Sequence, residues 1–295
     1  MFFNRKRRRG KEEKEVKVTE LRPTREIINT GNITIDGNKR NSNGILSYRV
    51  ANLQMIGARE NQEDSFAVIN ALDVTKILTD GLFAVICDGM GGMKDGKLIS
   101  EAAVQGFVTS FYNLDLQEKE NIPSQLSDAC HSVNNTIRES FGDSGGTTVA
   151  LVLVFNSELY WLAVGDSPIF LKRGGNLIKL NKEHIYLNEL YLRELQRETI
   201  YKASAETANQ KESLTEYIGK SEIEEIDLSR TPLPLGIGDV IFLCSDGVSS
   251  YIDESEISKA VDLPPKETCA YLDAAIKSKN HSTQDNYTCV IISCV

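Results

Sequence analysis

The feature that most constrains this fold is a series of short, apolar, β-rich runs joined by very few residues. The runs TTVALVLVF, ELYWLAVG and SPIFLKR follow one another, separated only by Asn156-Ser157 and by the Gly165-Asp166 turn signal. Such short connections join antiparallel strands, whereas parallel strands need a long crossover segment. The three runs therefore predict an antiparallel meander.

Further strand and helix signals surround this meander. The runs LSYRVANLQMIG, SFAVINAL and GLFAVICDG precede it, and GDVIFLCSDG and NYTCVIISCV follow it. Apolar residues recur with helical spacing from Ile99 to Phe111, and a second helix is predicted to begin near Pro123. Asp253 and Glu256 resemble a capping box that opens a short helix. Strands in hairpin order with paired helices predict a layered α+β domain rather than a βαβ fold.

Two segments depart from this pattern. Residues 1–45 are polar and partly basic, which predicts a disordered tail ahead of a domain at 46–295. Residues 181–220 are charged, poor in β-branched residues and helical in pattern. We expect them to form an excursion between strands.

Composition excludes several classes of protein. A net charge of −9 argues against non-specific nucleic-acid binding, because a polyanion would be repelled. The sequence has no apolar run long enough to span a membrane and no secretory signal pattern. Its six cysteines form no CxxC pair, and three of them lie in apolar runs. We expect a cytoplasmic, monomeric protein with reduced cysteines.

Acidic residues recur at the ends of the apolar runs. Strand ends of one sheet meet at one edge, so several of these carboxylates could converge there. Their mutual repulsion would be relieved by a divalent cation, and oxygen ligands without histidine favour Mg²⁺ or Mn²⁺. Taken singly, each aspartate is also a common turn former. The residues are Glu63, Asp64, Asp88, Asp166, Asp246 and Asp285.

The stretch VICDGMGGMKDGKL contains most of a phosphate-binding P-loop pattern. Leu98 stands where that loop needs serine or threonine to bind Mg²⁺, and Asp88 and Asp95 would repel phosphates. No cysteine is followed six residues later by arginine, and none of the three histidines lies in a metal motif. Nucleotide-binding, cysteine-nucleophile and histidine-rich metal sites are therefore disfavoured.

Seven motifs, in order, resemble the bacterial form of the metal-dependent type 2C protein serine/threonine phosphatases. The resemblance runs from about residue 46 to 295 and implies two stacked antiparallel β-sheets flanked by antiparallel helix pairs. It also implies that the 181–220 excursion is the variable flap of that family. The motifs are ARENQEDSF, FAVICDGMGG, SGGTTVALVLV, LAVGDSPIF, LTEYIG, GDVIFLCSDGV and QDNYTCVII.

The resemblance implies a metal site built from five residues. Asp88 corresponds to the carboxylate that bridges two ions, and Gly89 would give its backbone carbonyl to one of them. Asp246 and Asp285 would hold the other ion. Asp64 is included with these metal residues. The implied cofactor is a pair of Mn²⁺ or Mg²⁺ ions, with a third, weaker ion.

The resemblance also assigns residues around the metals. Arg59 corresponds to the arginine that binds the substrate phosphate, and we expect it and Asp88 to be catalytic. Glu63, together with Asp64, would orient metal-bound waters. Asp143 lies near the position of a ligand for the third metal. Met90 stands where some animal relatives carry a histidine that protonates the leaving group, so a metal-bound water is the expected acid.

The implied activity is hydrolysis of phosphoserine and phosphothreonine by in-line attack of a metal-bridging hydroxide. The implied partners are phosphoproteins, including a cognate serine/threonine kinase and its substrates. The alternative is a catalytically silent relative that binds phosphoproteins as a regulator. Silent relatives typically lose a metal ligand, whereas Asp88, Asp246 and Asp285 are all present here.

Overall fold

The computed structural model describes residues 46–90, 95–196 and 212–295. The strands are β1 (Tyr48–Met55), β2 (Asp64–Ile69), β3 (Leu82–Asp88), β4 (Val149–Phe155), β5 (Glu158–Val164), β6 (Ile169–Arg173), β7 (Asn176–Lys179), β8 (Asp227–Leu228), β9 (Leu233–Pro234), β10 (Val240–Cys244) and β11 (Tyr287–Cys294). The helices are α1 (Val74–Asp80), α2 (Gly96–Phe111), α3 (Ile122–Phe141), α4 (Tyr186–Gln196), α5 (Asp246–Ser249), α6 (Glu254–Ala260) and α7 (Pro265–Lys279).

The strands form two antiparallel sheets, as expected. The first sheet has the order β1-β11-β10-β6-β7, and the second has the order β2-β3-β4-β5-β8, with β9 paired to β5. One apolar core lies between the sheets, a second lies between the second sheet and helices α2 and α3, and a third lies between the first sheet and helices α6 and α7. The predicted α+β fold of two stacked sheets flanked by helices is therefore confirmed.

Strand β3 shows why the central runs are apolar at nearly every position. Alternate side chains of a strand point to opposite faces, and both faces of β3 are covered. Phe83, Val85 and Cys87 belong to the core under the helices, whereas Leu82, Ala84 and Ile86 belong to the core between the sheets. The strand is buried through Cys87, and its last residue, Asp88, is partly buried at the edge of the core.

The predicted three-stranded meander is wrong at its third strand. Strands β4 and β5 form the expected hairpin, with positive φ at both Asn156 and Ser157. Strand β6, however, pairs with β10 and β7 in the other sheet. The chain crosses between sheets after Gly165, which has a φ of 105°, and Pro168 has no N–H to continue a ladder. The Gly165-Asp166 turn is therefore a crossover between sheets rather than a hairpin.

The region after β2 also differs from the strand predicted through Leu72. Strand β2 ends at Ile69, and Asn70 follows it with a φ of 66°. The side chain of Asp73 then accepts hydrogen bonds from two backbone N–H groups and caps helix α1. The sequence reading missed this short helix because its apolar positions fill less than two turns.

The other local predictions have mixed outcomes. Asp253 caps α6 by accepting from the Glu256 N–H at 2.9 Å, and α4 provides the expected helix in the excursion. The predicted tail at 1–45, residues 197–211 of the excursion, and the glycines at 91 and 92 lie outside the described residues. Within the described part of the chain, no helix is long and apolar enough to cross a membrane.

Candidate functional site

Strand pairing brings four of the predicted carboxylates to one end of the sandwich. Asp64 begins β2 and lies opposite Asp88, the last residue of the antiparallel neighbour β3. In the other sheet, Asp246 follows β10 and Asp285 precedes its antiparallel neighbour β11. Each sheet therefore contributes two acidic residues at the point where neighbouring strands end and begin.

Asp64 is the carboxylate that links the two sheets. Its side chain is buried, and its Oδ2 accepts hydrogen bonds from the Ser245 hydroxyl at 2.8 Å and the Thr288 hydroxyl at 2.7 Å. Burial nevertheless raises the pKa of Asp64 to about 6, because the loss of hydration outweighs the two hydrogen bonds. Its second oxygen, Oδ1, is buried without a hydrogen-bond partner. An unpaired buried carboxylate oxygen is costly unless a ligand completes it.

Asp88 and Asp246 lie together in the most strongly perturbed part of the site. Burial raises the pKa of Asp88 well above its usual value, and the charges of Asp64, Asp246 and Asp166 raise it further. Burial also raises the pKa of Asp246, helped by the charge of Asp285. The negative charges of Asp88 and Asp246 repel each other. A bound cation would relieve this repulsion.

The backbone around Asp88 is fixed by two threonines that the sequence analysis did not single out. The Asp88 carbonyl accepts from the Thr147 hydroxyl at 2.7 Å and from the Thr148 N–H at 2.9 Å. The Asp88 N–H in turn donates to the Thr148 hydroxyl at 3.1 Å. The motif containing these threonines was recognised, but their partners depend on the pairing of distant segments.

Gly89 lies in a position where only glycine fits. A Cβ at this position would lie 2.5 Å from the Gly96 carbonyl oxygen and 2.7 Å from that of Glu63. The Gly89 N–H donates to the same Glu63 carbonyl at 3.2 Å. Any larger residue at this position would therefore push the backbone beside Asp88 away from Glu63 and Gly96.

Arg59 lies on the exposed rim of the site. Its Nη2 is 2.5 Å from Asp285 Oδ2, with side chains that are 44% and 35% exposed. Asn286 anchors the loop that carries Arg59, because its amide donates to the carbonyls of Ile56 and Asn61 and accepts from the Glu63 N–H. This asparagine was part of a recognised motif, but its anchoring role was not predicted.

Asp143 and Asp166 occupy different surroundings. The Asp143 side chain is 89% exposed, and its ion-pair partner is Arg138 at 2.9 Å. Asp166 follows β5, and burial together with the charge of Asp246 raises its pKa to about 7. The strand-end pattern included Asp166, but no role was assigned to it. The structure adds this aspartate to the carboxylate cluster.

The donor set fits hard divalent cations, although its side chains are not arranged as a finished ligand sphere. Among the described residues, no three acidic, cysteine or histidine side chains surround one point closely enough to hold an ion as they stand. Added positive charge would nevertheless relieve the repulsion among these carboxylates, lower their raised pKa values and give the unpaired Asp64 oxygen a partner. Oxygen donors without histidine match Mg²⁺ or Mn²⁺.

Two curated proteins that resemble this chain in sequence are described as protein phosphatases. A putative type 2C protein phosphatase of Streptococcus pyogenes is 30% identical over 207 residues, which cover 68% of this chain and 79% of that protein. The serine/threonine phosphatase stp of Listeria monocytogenes is 28% identical over 242 residues, covering 79% and 90%.

Solved structures share the fold. The Streptococcus agalactiae serine/threonine phosphatase has a TM-score of 0.69 and 24% identity, covering 83% of this chain and 99% of that one. The catalytic domain of the phosphatase PstP in complex with two manganese ions has a TM-score of 0.65 and 23% identity, covering 85% and 99%.

The fold and the acidic site together define a metal-dependent protein phosphatase. A sequence model of the family described as Protein phosphatase 2C matches residues 56–278, which is more than half of the chain. The chain therefore belongs to the protein phosphatase 2C family, and it is a protein serine/threonine phosphatase.

Proposed function

We propose that five residues at the edge of the two sheets hold two divalent cations, Mn²⁺ or Mg²⁺. They are Asp64, Asp88, the carbonyl of Gly89, Asp246 and Asp285. The observation that carries this assignment is the mutually repelling cluster of Asp64, Asp88 and Asp246, in which Asp64 is buried and has an unpaired oxygen. The manganese ions of the structurally similar PstP domain agree with this choice of metal.

The bound cations would neutralise the phosphate ester and acidify the attacking water. The protein's own residues position the reactants. Arg59 can hold two phosphate oxygens in a planar fork, provided that its exposed guanidinium leaves Asp285 when substrate binds. The unpaired Asp64 Oδ1 would contact a cation directly or through a cation-bound water, and Glu63, the preceding residue, would help to orient such waters. Threonines 147 and 148 keep Asp88 in place throughout.

The site suits phosphoserine and phosphothreonine on protein surfaces. Arg59 and Asp285 are partly exposed, so a phosphorylated loop can reach them without entering a deep cavity. We further propose that a cognate serine/threonine kinase and the substrates of that kinase are dephosphorylated by this enzyme. We propose that the enzyme is monomeric and acts in the cytoplasm. Asp143 would join a third, weaker cation only if it left its ion pair with Arg138.

The first test is hydrolysis of p-nitrophenyl phosphate by purified protein with Mn²⁺, with Mg²⁺ and with chelator. We expect turnover with metal and none with chelator. Asp246→Asn should abolish turnover while the protein stays folded, and Asp80→Asn, an exposed aspartate on α1, is the matched control. Wild-type turnover by Asp246→Asn would contradict the metal assignment. A folded wild-type protein that is inactive with every metal would instead support the silent-regulator alternative.

A further inference from the structure

One buried histidine holds the turn that follows β5. His184 is 2% exposed, and its Nδ1 accepts a hydrogen bond from the Gly165 N–H at 3.1 Å. The backbone N–H of His184 donates to the Gly165 carbonyl at 2.8 Å. A single residue therefore satisfies both backbone polar groups of Gly165.

The hydrogen bonds define which nitrogen of the ring carries the proton. Because Nδ1 accepts from a backbone N–H, the neutral ring carries its hydrogen on Nε2. Nε2 is buried and has no hydrogen-bond partner among the described residues. Burial lowers the pKa of His184, which keeps the ring neutral. The buried, unpaired Nε2–H costs free energy, and this tautomer is the one in which Nδ1 can accept from Gly165.

The backbone conformation and close packing of the turn at Gly165 restrict its position. Gly165 has a φ of 105°, and a Cβ there would lie 2.7 Å from the Thr148 side chain. The Thr148 hydroxyl shares a hydrogen bond with Ser167 at 2.7 Å and accepts from the Asp88 N–H. The crossover is therefore packed directly against the residues that fix Asp88.

The residue carried by this turn is Asp166, which lines the same open pocket as Asp246. The charge of Asp246 contributes to the raised pKa of Asp166. Asp166 thus adds a negative charge beside a residue assigned to the metal site. His184 also contacts the later part of the excursion, because its backbone carbonyl accepts from the Thr215 N–H at 2.9 Å.

We propose that His184 is a positioning residue of the phosphatase site, which holds the Gly165 backbone so that the Asp166 carboxylate stays beside Asp246 and strengthens cation binding there. This inference rests on the proposed function, because it requires Asp246 to hold a cation. It assigns roles to two residues, Asp166 and His184, that lie outside the proposed set of metal ligands.

The test compares two substitutions of the histidine. In His184→Asn, the side-chain oxygen occupies the position of Nδ1 and can accept from Gly165, whereas His184→Gln places its polar group further out. We expect His184→Gln to weaken Mn²⁺ binding, measured by calorimetric titration of the purified protein, by about tenfold. His184→Asn should stay near the wild-type dissociation constant. His131→Gln, an exposed histidine on α3, is the control.

A double-mutant cycle separates positioning from general stability. Asp166→Asn should weaken Mn²⁺ binding by itself, and adding His184→Gln to it should cause little further loss, because the histidine acts through Asp166. Thermal unfolding of each variant is recorded in parallel. If Asp166→Asn binds Mn²⁺ as tightly as the wild type, the inference is wrong, whether or not His184→Gln folds. Equal effects of the asparagine and glutamine variants would also overturn it.

The two proposals fail in different ways. If Asp246→Asn keeps full Mn²⁺ affinity and activity, the proposed metal site itself is wrong. If Asp246→Asn loses both while the His184 and Asp166 variants match the wild type, the metal site stands and only the positioning role is refuted.

Discussion

Arg59→Ala should tighten Mn²⁺ binding and weaken substrate binding at the same time. In the described structure, Asp285 Oδ2 is occupied by the Arg59 guanidinium at 2.5 Å. The same oxygen is assigned to a cation, so the arginine and the metal compete for it. Removing the arginine frees the carboxylate before the metal arrives.

The expected gain in Mn²⁺ affinity follows from the solvent exposure of the ion pair between Arg59 and Asp285. The two side chains are 44% and 35% exposed, so solvent screens the interaction, which is typically worth about 0.2–1 kcal/mol. That corresponds to about 1.4- to fivefold tighter Mn²⁺ binding. Losing charge-assisted hydrogen bonds to phosphate should cost about 1.5–3 kcal/mol, which raises KM for a phosphopeptide about ten- to hundredfold.

The assay is calorimetric Mn²⁺ titration without substrate, followed by phosphopeptide kinetics at saturating Mn²⁺. Arg59→Lys is the matched control, because lysine retains the charge near Asp285 but cannot form a planar fork. We expect it to bind Mn²⁺ like the wild type and to show a raised KM. Unchanged or weaker Mn²⁺ binding by Arg59→Ala would refute the competition, and an unchanged KM would remove Arg59 from phosphate binding.

Three further outcomes follow from the site. Gly89→Ala should destabilise the fold by about 1–3 kcal/mol, measured by denaturant unfolding, because its Cβ would meet the Gly96 carbonyl; unchanged stability would contradict this packing. Thr288→Val removes a donor from the buried Asp64 carboxylate and should cost about 1–3 kcal/mol, with Thr288→Ser as the control that keeps the hydroxyl. In chelator, burial raises the pKa of Asp64 to about 6 and that of Asp166 to about 7, above their unfolded values. The metal-free fold therefore binds more protons than the unfolded chain in this pH range. Its stability should therefore fall as pH rises from about 4 to 7, and a melting temperature that rises over this range would be the opposite result.

The sequence was most informative where local pattern and fold agree. The fully apolar runs of β3, β4 and β10 are typical of strands covered on both faces, and their order predicted antiparallel sheets. It did not reveal that β6 joins the other sheet, because a short turn looks the same whether the next strand pairs beside it or crosses over. That choice depends on packing between segments distant in the chain.

The same limit applies to the site. Carboxylates at strand ends can be read from the sequence, since each sits next to its own apolar run. The hydroxyl groups of Ser245 and Thr288 and the ring of His184 could not be assigned, because their partners lie far away in sequence and are set by strand register. Asp143 was aligned with a metal position and remains a prediction, with Arg138 as its partner in the described fold.

The hydrogen bonds from Ser245 and Thr288 to Asp64 have a mechanical consequence. They connect the start of β2 in one sheet to the end of β10 and the start of β11 in the other sheet. These bonds lie at the end of the sandwich where the metals are proposed to bind. A cation bound by Asp88 from one sheet and by Asp246 from the other would form a second link between the two sheets. Amide hydrogen exchange in both sheets should therefore slow together when Mn²⁺ is added, as the two halves of the sandwich begin to open as one cooperative unit.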